Sequence, residues 1–478
     1  MVFSSMTFLW IFLPSVLAVN YAFSFIKREN VKMLCKNVVL LLASLIFYTW
    51  GGVYYLVIIL VSILGNYLFA LWIDSAADKQ NEPSRKAAFI LALIFNLGVL
   101  FYFKYTNFFV GIIESIANAD FGLKEIVLPI GISFFTFQSM SYVIDVYTGK
   151  VKCQKNLLLI SLYVSFFPQL VAGPIVKYAD IENQLLYRKE TVDKFVCGIK
   201  RFLYGLAKKV IVSNVVGQVA EKVFSFSVSE LGAGVAWLGI ICYSVQIYFD
   251  FSGYSDMAIG LGKMFGFDFC ENFNYPYVST SVQGFWRRWH ISLSSWFKEY
   301  VYIPLGGNRK GKIRTYVNLF IVFLLTGLWH GANYTFLLWG VFYGILLVIE
   351  RLFLGDWLNK NPVKIVNWIY TMFAVVLLWV FFRAPNINYA FEYIAAMFMS
   401  RSDTVSIVNV INLWQWLILM VGILFSGPLQ LVFRKWYLKV KDTTWFFWID
   451  FASQIMLFVL SVVLLINNTF NPFIYFQF

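Results

Sequence analysis

The chain has little charge for its size. Asp, Glu, Lys and Arg make up 13% of its 478 residues, whereas hydrophobic residues make up 60%. A soluble protein of this length needs a charged surface, and this composition excludes one. Long apolar runs recur instead and raise the mean hydropathy to +0.71. Because these runs are continuous rather than alternating, they predict an all-α polytopic membrane protein.

Cysteine and histidine are also scarce, which limits the chemistry available to the chain. The five cysteines are scattered and show no metal-ligand spacing, so they are predicted to be packing residues. The two histidines are His290 and His330, and each directly follows a tryptophan. Any chemistry that needs an imidazole at neutral pH must therefore use one of these two side chains.

The net charge is +13, yet its distribution does not indicate binding of nucleic acid. The basic residues lie between apolar runs, as cytoplasmic loops do under the positive-inside rule. We expect about 11–13 transmembrane helices, with re-entrant or interfacial helices in addition. The candidate spans are 7–26, 37–50, 53–73, 87–112, 126–147, 156–178, 195–217, 233–264, 316–330, 333–354, 365–383, 410–432 and 445–466.

The basic loops also predict the orientation of the termini. The first apolar stretch has no basic segment before it and no small-residue cleavage site, so we interpret it as a retained helix. The basic loop at 27–36 predicts an extracytoplasmic N-terminus, and the basic segment 434–441 predicts an extracytoplasmic tail at 467–478. Since no long polar region interrupts the chain, residues 1–478 are expected to form a single membrane domain.

Residues 267–315 differ from the rest of the chain. They are too polar to span a membrane and too aromatic for an ordinary loop, because tryptophans and tyrosines alternate with Arg287, Arg288 and Lys298. Irregular segments at membrane depth survive only when buried in protein or facing a watery cavity. We therefore predict re-entrant or interfacial helices here, which allow His290 and His330 to face one cavity.

The residues alone leave several interpretations of these polar groups open. The histidines are either catalytic, or hydrogen-bonded to neighbouring helices, or ligands of a metal or one haem, although no paired-cysteine zinc pattern accompanies them. Asp250 and Asp256 lie in an otherwise apolar stretch. They line a substrate path, as in a transporter, or pair with the basic residues of 287–314, or hold helices together.

A basic, glycine-containing loop follows at 305–314. Its glycines free the backbone, while Arg309 and Lys310 supply positive charge for the phosphates of an anionic cytoplasmic donor. The spacing does not match the Walker motif of nucleotide-binding proteins. The alternative is a basic cytoplasmic turn without a ligand.

The chain ends with an aromatic tail that contains Tyr475. One interpretation is an interfacial anchor, since aromatic residues favour the membrane–water boundary. The other is a nucleophile on a short tether. A phenol with a pKa of roughly 10 is a better leaving group than a sugar hydroxyl, so an acyl-tyrosine retains transfer potential.

Taken together, these motifs resemble the membrane-bound O-acyltransferase family, and within it the bacterial branch that acetylates alginate, peptidoglycan and other exopolysaccharides. The resemblance covers essentially the whole chain. It rests on residues 3–5, 128–134, 171–174 and 249–256, on both Trp-His motifs and on the loop 304–309.

The resemblance implies a fold with a central tunnel, and on the residue pattern no metal cofactor is expected. His330 matches the catalytic histidine of the family and is expected to act as general base. His290 matches the second active-site position and is expected to orient the donor, or to stabilise an oxyanion if it donates a hydrogen bond, with Arg287 and Arg288 lowering its pKa. The predicted donor-binding residues are Arg287, Arg288, Arg309 and Lys310.

The same resemblance implies the reaction and its partners. The expected donor is cytoplasmic acetyl-CoA, and the expected final acceptor is a cell-surface polysaccharide reached across the bilayer. Tyr475 resembles the C-terminal motif that relays acyl groups in this branch. The usual partner is an extracytoplasmic acetyltransferase of the SGNH type, and the expected location is the bacterial cytoplasmic membrane.

Overall fold

The computed structural model describes residues 1–399, 405–467 and 470–474. Within these ranges the secondary structure is helical, and no strand occurs. The chain divides into two compact units, one of residues 1–202 with 257–270 and the other of residues 203–256 with 271–478. The all-α prediction is confirmed for the described residues.

The first unit is built around long helices near the N-terminus. Its helices are Phe8–Phe12, Leu13–Ala22, Phe23–Phe25, Glu29–Thr49, Val53–Asp78, Glu82–Ala117, Ile132–Tyr147, Leu157–Ser165, Phe167–Leu170, Tyr178–Tyr187, the start of Val192–Ala207 and the end of Ala233–Met264. Asn81 caps the longest of them by accepting a hydrogen bond from the Ser84 amide. Phe8, Phe47 and Phe167 pack in an aromatic core with ring centroids 5.6–6.3 Å apart.

A buried polar cluster lies within the first unit. Lys36 Nζ is 2.5 Å from a carboxylate oxygen of Glu190 and 2.9 Å from Ser24 Oγ. Arg188 donates to the Asn37 side chain and to the Phe265 carbonyl. Every one of these partners belongs to the helices and connections of the unit itself, so the cluster joins distant parts of the chain.

The second unit contains the remaining helices. They are the end of Val192–Ala207, Lys208–Ser213, Asn214–Ser225, Val228–Glu230, most of Ala233–Met264, Pro276–Val278, Val282–Trp286, Ile291–Phe297, Lys298–Tyr302, Lys312–His330, Tyr334–Ile349, Glu350–Leu354, Gly355–Lys360, Lys364–Arg383, Ile387–Ala396, Ile407–Val410, Leu413–Phe425, Pro428–Val440 and Thr444–Asn467. The segments Lys208–Ser213 and Lys298–Tyr302 are π-helical, a geometry often found near functional sites.

Nine helices in the described part of the chain are long and apolar enough to cross a membrane. A tenth is added if Leu413–Phe425 and Leu429–Val440, bent by 57°, form one span. The multi-pass prediction is therefore confirmed, and the nine are Phe8–Phe25, Glu29–Thr49, Val53–Asp78, Glu82–Ala117, Ala233–Met264, Lys312–His330, Tyr334–Lys360, Lys364–Arg383 and Thr444–Asn467.

Four predicted spans are not among these nine helices. The span 410–432 corresponds to the bent pair, and the other three are absent for a physical reason each. In 126–147 the helix begins only after Gly131, whose φ of 77° is left-handed, and its 16 residues are short for a bilayer. In 156–178 the helix breaks at Phe166, before a new first turn that contains Pro168. The segment 195–217 carries too many lysines and arginines to cross as an apolar helix.

Candidate active site

His290 lies in the short-helix segment between the long helices, outside the nine candidate spans. The helix Val282–Trp286 that leads to it is capped by Ser281 Oγ, 2.9 Å from the Gly284 amide. The carboxylate of Glu350 accepts the amides of Val282 and Gln283 at 2.6 and 2.9 Å. An anion at a helix N-terminus complements the helix dipole and fixes this segment against the following helices.

The backbone at His290 is strained in a way that serves its position. Its φ of 44° is left-handed, which is uncommon for a residue with a Cβ. The adjoining chain is held by backbone hydrogen bonds from Ile291 to the Asn272 carbonyl and from Asn274 to the Arg288 carbonyl, both 2.9 Å. These bonds bring the Asn272 side chain against the imidazole.

Asn272 determines which ring nitrogen of His290 carries the proton. Its Oδ1 accepts from the Ser292 amide at 3.2 Å and from the Ser292 hydroxyl at 2.9 Å, and a backbone amide can only donate. The same oxygen lies 3.1 Å from His290 Nδ1. Since a carbonyl oxygen only accepts, Nδ1 must be the donor, and Nε2 carries the lone pair of the neutral ring.

Burial keeps His290 neutral. The residue is 0% exposed, and desolvation of the charged form lowers its pKa to about 3. The sequence predicted the direction of this shift but assigned it to Arg287 and Arg288, whereas its cause is burial. Stabilising an oxyanion requires a hydrogen-bond donor. Because Nδ1 carries the proton of the neutral ring, Nε2 has no proton to donate and does not meet this condition.

His330 is the last residue of the helix Lys312–His330, and it is 3% exposed. The residues after it explain the local sequence. A Cβ at Gly331 would lie 2.4 Å from the Phe336 ring, so the glycine permits this ring to pack closely against the backbone here. Asn333 then caps the next helix by accepting from the Thr335 amide at 3.0 Å.

Both histidines pack against Trp329. The centroid of its ring is 5.9 Å from that of His290 and 5.0 Å from that of His330. The separation of the imidazoles cannot exceed the sum of these two distances. Phe251 packs edge-on against His290 at 4.6 Å, and Phe382 packs against His330 at 4.9 Å. Two imidazoles in such an aromatic enclosure are shielded from water.

A cavity of about 410 Å³ opens beside the histidine motifs. It follows one face of the helix Lys312–His330 through Leu319, Val322 and Thr326, and His330 is the next position on that face, four residues after Thr326. Neither histidine is among the described lining residues, so this cavity does not place both imidazoles on its wall. It does lead toward them, since Trp286 and Ile291 also line it.

Positive charge dominates the polar part of this cavity. Arg287, Lys298 and Arg351 line it, and none of the described lining residues is acidic. Of the four predicted donor-binding residues, only Arg287 is in this lining. The side chain of Arg288 donates to the Asn274 carbonyl, and Arg309 and Lys310 are exposed on the loop.

Sequence reasoning named Lys298 only as part of an aromatic pattern and missed Arg351. The signal for Lys298 was its place eight residues after His290, within the segment already singled out. Arg351 sits at the end of an apolar span, and only the packing of that helix brings it to the cavity.

Asp250 and Asp256 pair with lysines that the sequence did not connect to them. Asp250 Oδ1 is 2.6 Å from Lys209 Nζ, and Asp256 Oδ2 is 2.6 Å from Lys208 Nζ. The pairing with basic residues of 287–314, one of the interpretations left open, is not what these contacts show. Tyr475 lies outside the described residues, but Ile474, directly before it, donates its amide to Asp250 Oδ2 at 2.9 Å.

The described residues contain no group of three or more His, Cys, Asp or Glu side chains that could hold a metal ion.

Comparison with known proteins assigns this architecture to a family. Residues 154–392 match the model of the membrane-bound O-acyltransferase family. The chain is 41% identical to the probable alginate O-acetylase AlgI of Pseudomonas putida over the full length of both proteins. It is 38% identical to the peptidoglycan O-acetyltransferase of Helicobacter pylori, covering 83% of this chain and 80% of that protein.

A more distant relative is the teichoic acid D-alanyltransferase of Bacillus subtilis, 28% identical over 52% of this chain and 65% of that protein. The matched region includes both Trp-His motifs, and these similarities decide between the transporter and the enzyme that the residues alone left open. The chain therefore belongs to the membrane-bound O-acyltransferase family and is a multi-pass O-acyltransferase.

Proposed function

We propose that this protein takes an acetyl group from acetyl-CoA and passes it through Tyr475 toward O-acetylation of a cell-surface polysaccharide. The observation that carries the proposal is the arrangement of His290 and His330 around Trp329, next to a cavity lined by three cations. Two of the relatives are named for acetylation of alginate and of peptidoglycan, which supports a polysaccharide acceptor.

The cavity suits an anionic thioester donor. Arg287, Lys298 and Arg351 offer positive charge for phosphate groups, and the apolar wall of Leu319 and Val322 suits the thiol-bearing arm. We propose that the cavity opens to the cytoplasm, where acetyl-CoA is available, and that the protein lies in the bacterial cytoplasmic membrane. The outer positions predicted for both termini belong to the same proposal.

The two histidines divide the work of the first transfer. His330 removes the proton of the Tyr475 hydroxyl as its oxygen bonds to the acetyl carbon and the carbon–sulfur bond breaks. That proton then passes to the departing thiolate, so free CoA and acetyl-tyrosine are the products. His290, neutral with its lone pair on Nε2, accepts a hydrogen bond that orients the reactants, and its low pKa makes it a poor proton carrier.

The second transfer releases the acetyl group to an outer acceptor. A hydroxyl of the partner, an extracytoplasmic acetyltransferase of the SGNH type, attacks the acetyl-tyrosine, and the phenol leaves with a proton. The position of the tail supports this relay. Ile474 bonds to Asp250, and the neighbouring Phe251 packs on the His290 ring, so the residue before Tyr475 lies close to the site.

The experiment uses purified full-length protein with acetyl-CoA that carries an isotopically labelled acetyl group. Mass spectrometry of the C-terminal peptide is expected to find the label on Tyr475. The Tyr475→Phe variant, which keeps the aromatic ring, should lose both this label and polysaccharide acetylation in cells. An unlabelled tail with full acetylation by Tyr475→Phe would show that the acyl group takes another route.

A further inference from the structure

The segment 471–474 is held by side chains that no assigned role explains. Lys209 Nζ donates to the Pro472 carbonyl, and Asp250 Oδ2 accepts the Ile474 amide at 2.9 Å. Phe473 stacks on Tyr254 with ring centroids 4.6 Å apart. Phe473 and Ile474 are 6% and 4% exposed, so this part of the tail is buried in the second unit rather than lying on its surface.

Lys209 and Asp250 also bond to each other in an almost completely buried pair. Their side chains are 4% and 1% exposed, and Asp250 lies on a helix that qualifies as a membrane span. Buried ions at membrane depth are expensive, and those that occur are paired and usually functional. The ion pair uses one carboxylate oxygen of Asp250 and one ammonium proton of Lys209. The other oxygen and a further proton form hydrogen bonds with the backbone of the tail.

The local fold brings the pair together. Lys209 lies on the π-helical segment Lys208–Ser213, and Asp250 lies on the helix Ala233–Met264. A Cβ at Gly253 would lie 2.8 Å from the Gly205 carbonyl oxygen and 3.2 Å from the Lys209 amide nitrogen, so the glycine permits the helix Ala233–Met264 to approach the backbone at Lys209 closely.

We infer that Lys209 and Asp250 form a binding site for a peptide segment, namely the chain's own C-terminal tail, and that they recognise it by its backbone. The ammonium group of Lys209 donates to the carbonyl at 472, and the carboxylate of Asp250 accepts from the amide at 474, while the two charges neutralise each other. These two residues, the tail-binding pair, hold the tail against the helix Ala233–Met264. Phe251, which directly follows Asp250 on that helix, contacts His290. The use of the tail as acyl carrier rests on the proposed function, whereas its binding does not.

Recognition by the backbone has a consequence for substitutions. The hydrogen bonds of the tail-binding pair go to backbone atoms at 472 and 474, so a substitution there that keeps these backbone groups and the buried volume should leave both bonds in place. Loss of the charges at 209 and 250 should break them. The tail-binding pair positions the tail and takes no part in the acyl transfer itself. The test must therefore separate binding of the tail from the stability of the helices.

Hydrogen–deuterium exchange of the full-length protein measures binding of the tail directly. In the wild type the Ile474 amide should exchange slowly, because a charged acceptor holds it. The double variant Lys209→Met/Asp250→Leu removes both charges at similar volume, so the fold is retained, and exchange in the tail peptide should accelerate by at least about tenfold. The matched control is Lys208→Met/Asp256→Leu, the neighbouring pair on the same two helices, which should leave tail exchange unchanged.

Swapping the two charged residues distinguishes recognition of the tail from a purely structural ion pair. Lys209→Asp/Asp250→Lys keeps one charge of each sign at the two positions. A lysine at 250 cannot accept the Ile474 amide, and an aspartate at 209 cannot donate to the Pro472 carbonyl. Hydrogen exchange in the tail should therefore be fast in this variant too, while hydrogen exchange in the helices stays at the wild-type rate.

Slow tail exchange in either of the two variants that change Lys209 and Asp250 would overturn the tail-binding pair. The outcome for the acyl relay is separate, because exchange is measured without donor. If the variants release the tail while Tyr475→Phe still acetylates polysaccharide, the binding site stands and the relay does not.

Discussion

Two buried lysine–carboxylate pairs, one in each unit, show how the same chemistry serves different purposes. In the first unit, Lys36 pairs with Glu190, which also lies 3.8 Å from Arg188, and their hydrogen bonds to other residues go to Ser24 and Asn20 on the neighbouring helices. In the second unit, Lys209 pairs with Asp250, and their remaining bonds go to the tail.

The difference lies in what each pair holds. The Lys36–Glu190 pair joins elements that also pack through apolar side chains, so its loss should weaken the unit. The Lys209–Asp250 pair binds a short segment beside the histidines, so its loss should affect the reaction more than the fold. The first unit is expected to act as scaffold and the second to carry the chemistry.

The largest effect on the rate of acyl transfer is expected from a substitution of His330 in the second unit, the unit that is expected to carry the chemistry. The substitution His330→Ala removes the proposed base, so the rate of acyl transfer should fall by about 10²–10⁴-fold, the usual contribution of general base catalysis. The melting temperature in detergent should change little, and the amount of protein in the membrane serves as control. Unchanged transfer would move the base to another group.

In the first unit we expect a substitution to lower the stability of the protein and leave acyl transfer intact, the reverse of the result expected at His330. Glu190→Ala leaves Lys36 and Arg188 buried without their carboxylate, which should lower the free energy of unfolding by about 3–5 kcal/mol. Thermal unfolding in detergent measures this, while transfer per folded molecule should be retained. The comparison variant Glu82→Ala removes an exposed partner of Arg85 and should cost little stability. Equal losses from the two variants would remove the contrast.

A smaller effect is expected when Asn272 is changed to aspartate. A carboxylate beside Nδ1 stabilises the imidazolium and so raises the pKa of His290 from about 3. If the neutral ring is the active form, activity is lost as the pH falls through this pKa, and the acid limb should move to higher pH in Asn272→Asp. The pH profile of kcat/KM measures this, and an unmoved limb would show that protonation of His290 does not control transfer.

The smallest effect concerns the donor cavity. Arg287→Gln removes one of three cations from its lining, so the KM for acetyl-CoA should rise about fivefold, near the value of one exposed ion pair, with kcat nearly unchanged. Arg288→Gln is the informative comparison, because Arg288 bonds to the Asn274 carbonyl instead. An equal rise in KM for both variants would show that donor contacts extend beyond the cavity.

Much of this architecture was predictable because apolar runs report directly on spanning helices. The predicted span 233–264 matches the helix Ala233–Met264, and 316–330 and 365–383 differ from the structure only at their first residues. The span 156–178 was wrong because hydropathy does not register the break at Phe166. The candidate residues of the proposed site could be named because histidines are scarce, so His290 and His330 were singled out by count alone, and their roles stay predictions.

Residue types and their order were enough to identify a multi-pass membrane protein and an acyltransferase family, and to name two histidines as candidates for its active site. Burial of those histidines, the proton on Nδ1, the three cations of the cavity and the pairing of Asp250 with Lys209 were decided by tertiary contacts. Asn272 lies 18 positions before His290, and Lys209 lies 41 before Asp250. No local pattern encodes which of many buried polar groups will meet, because such contacts depend on how distant helices pack.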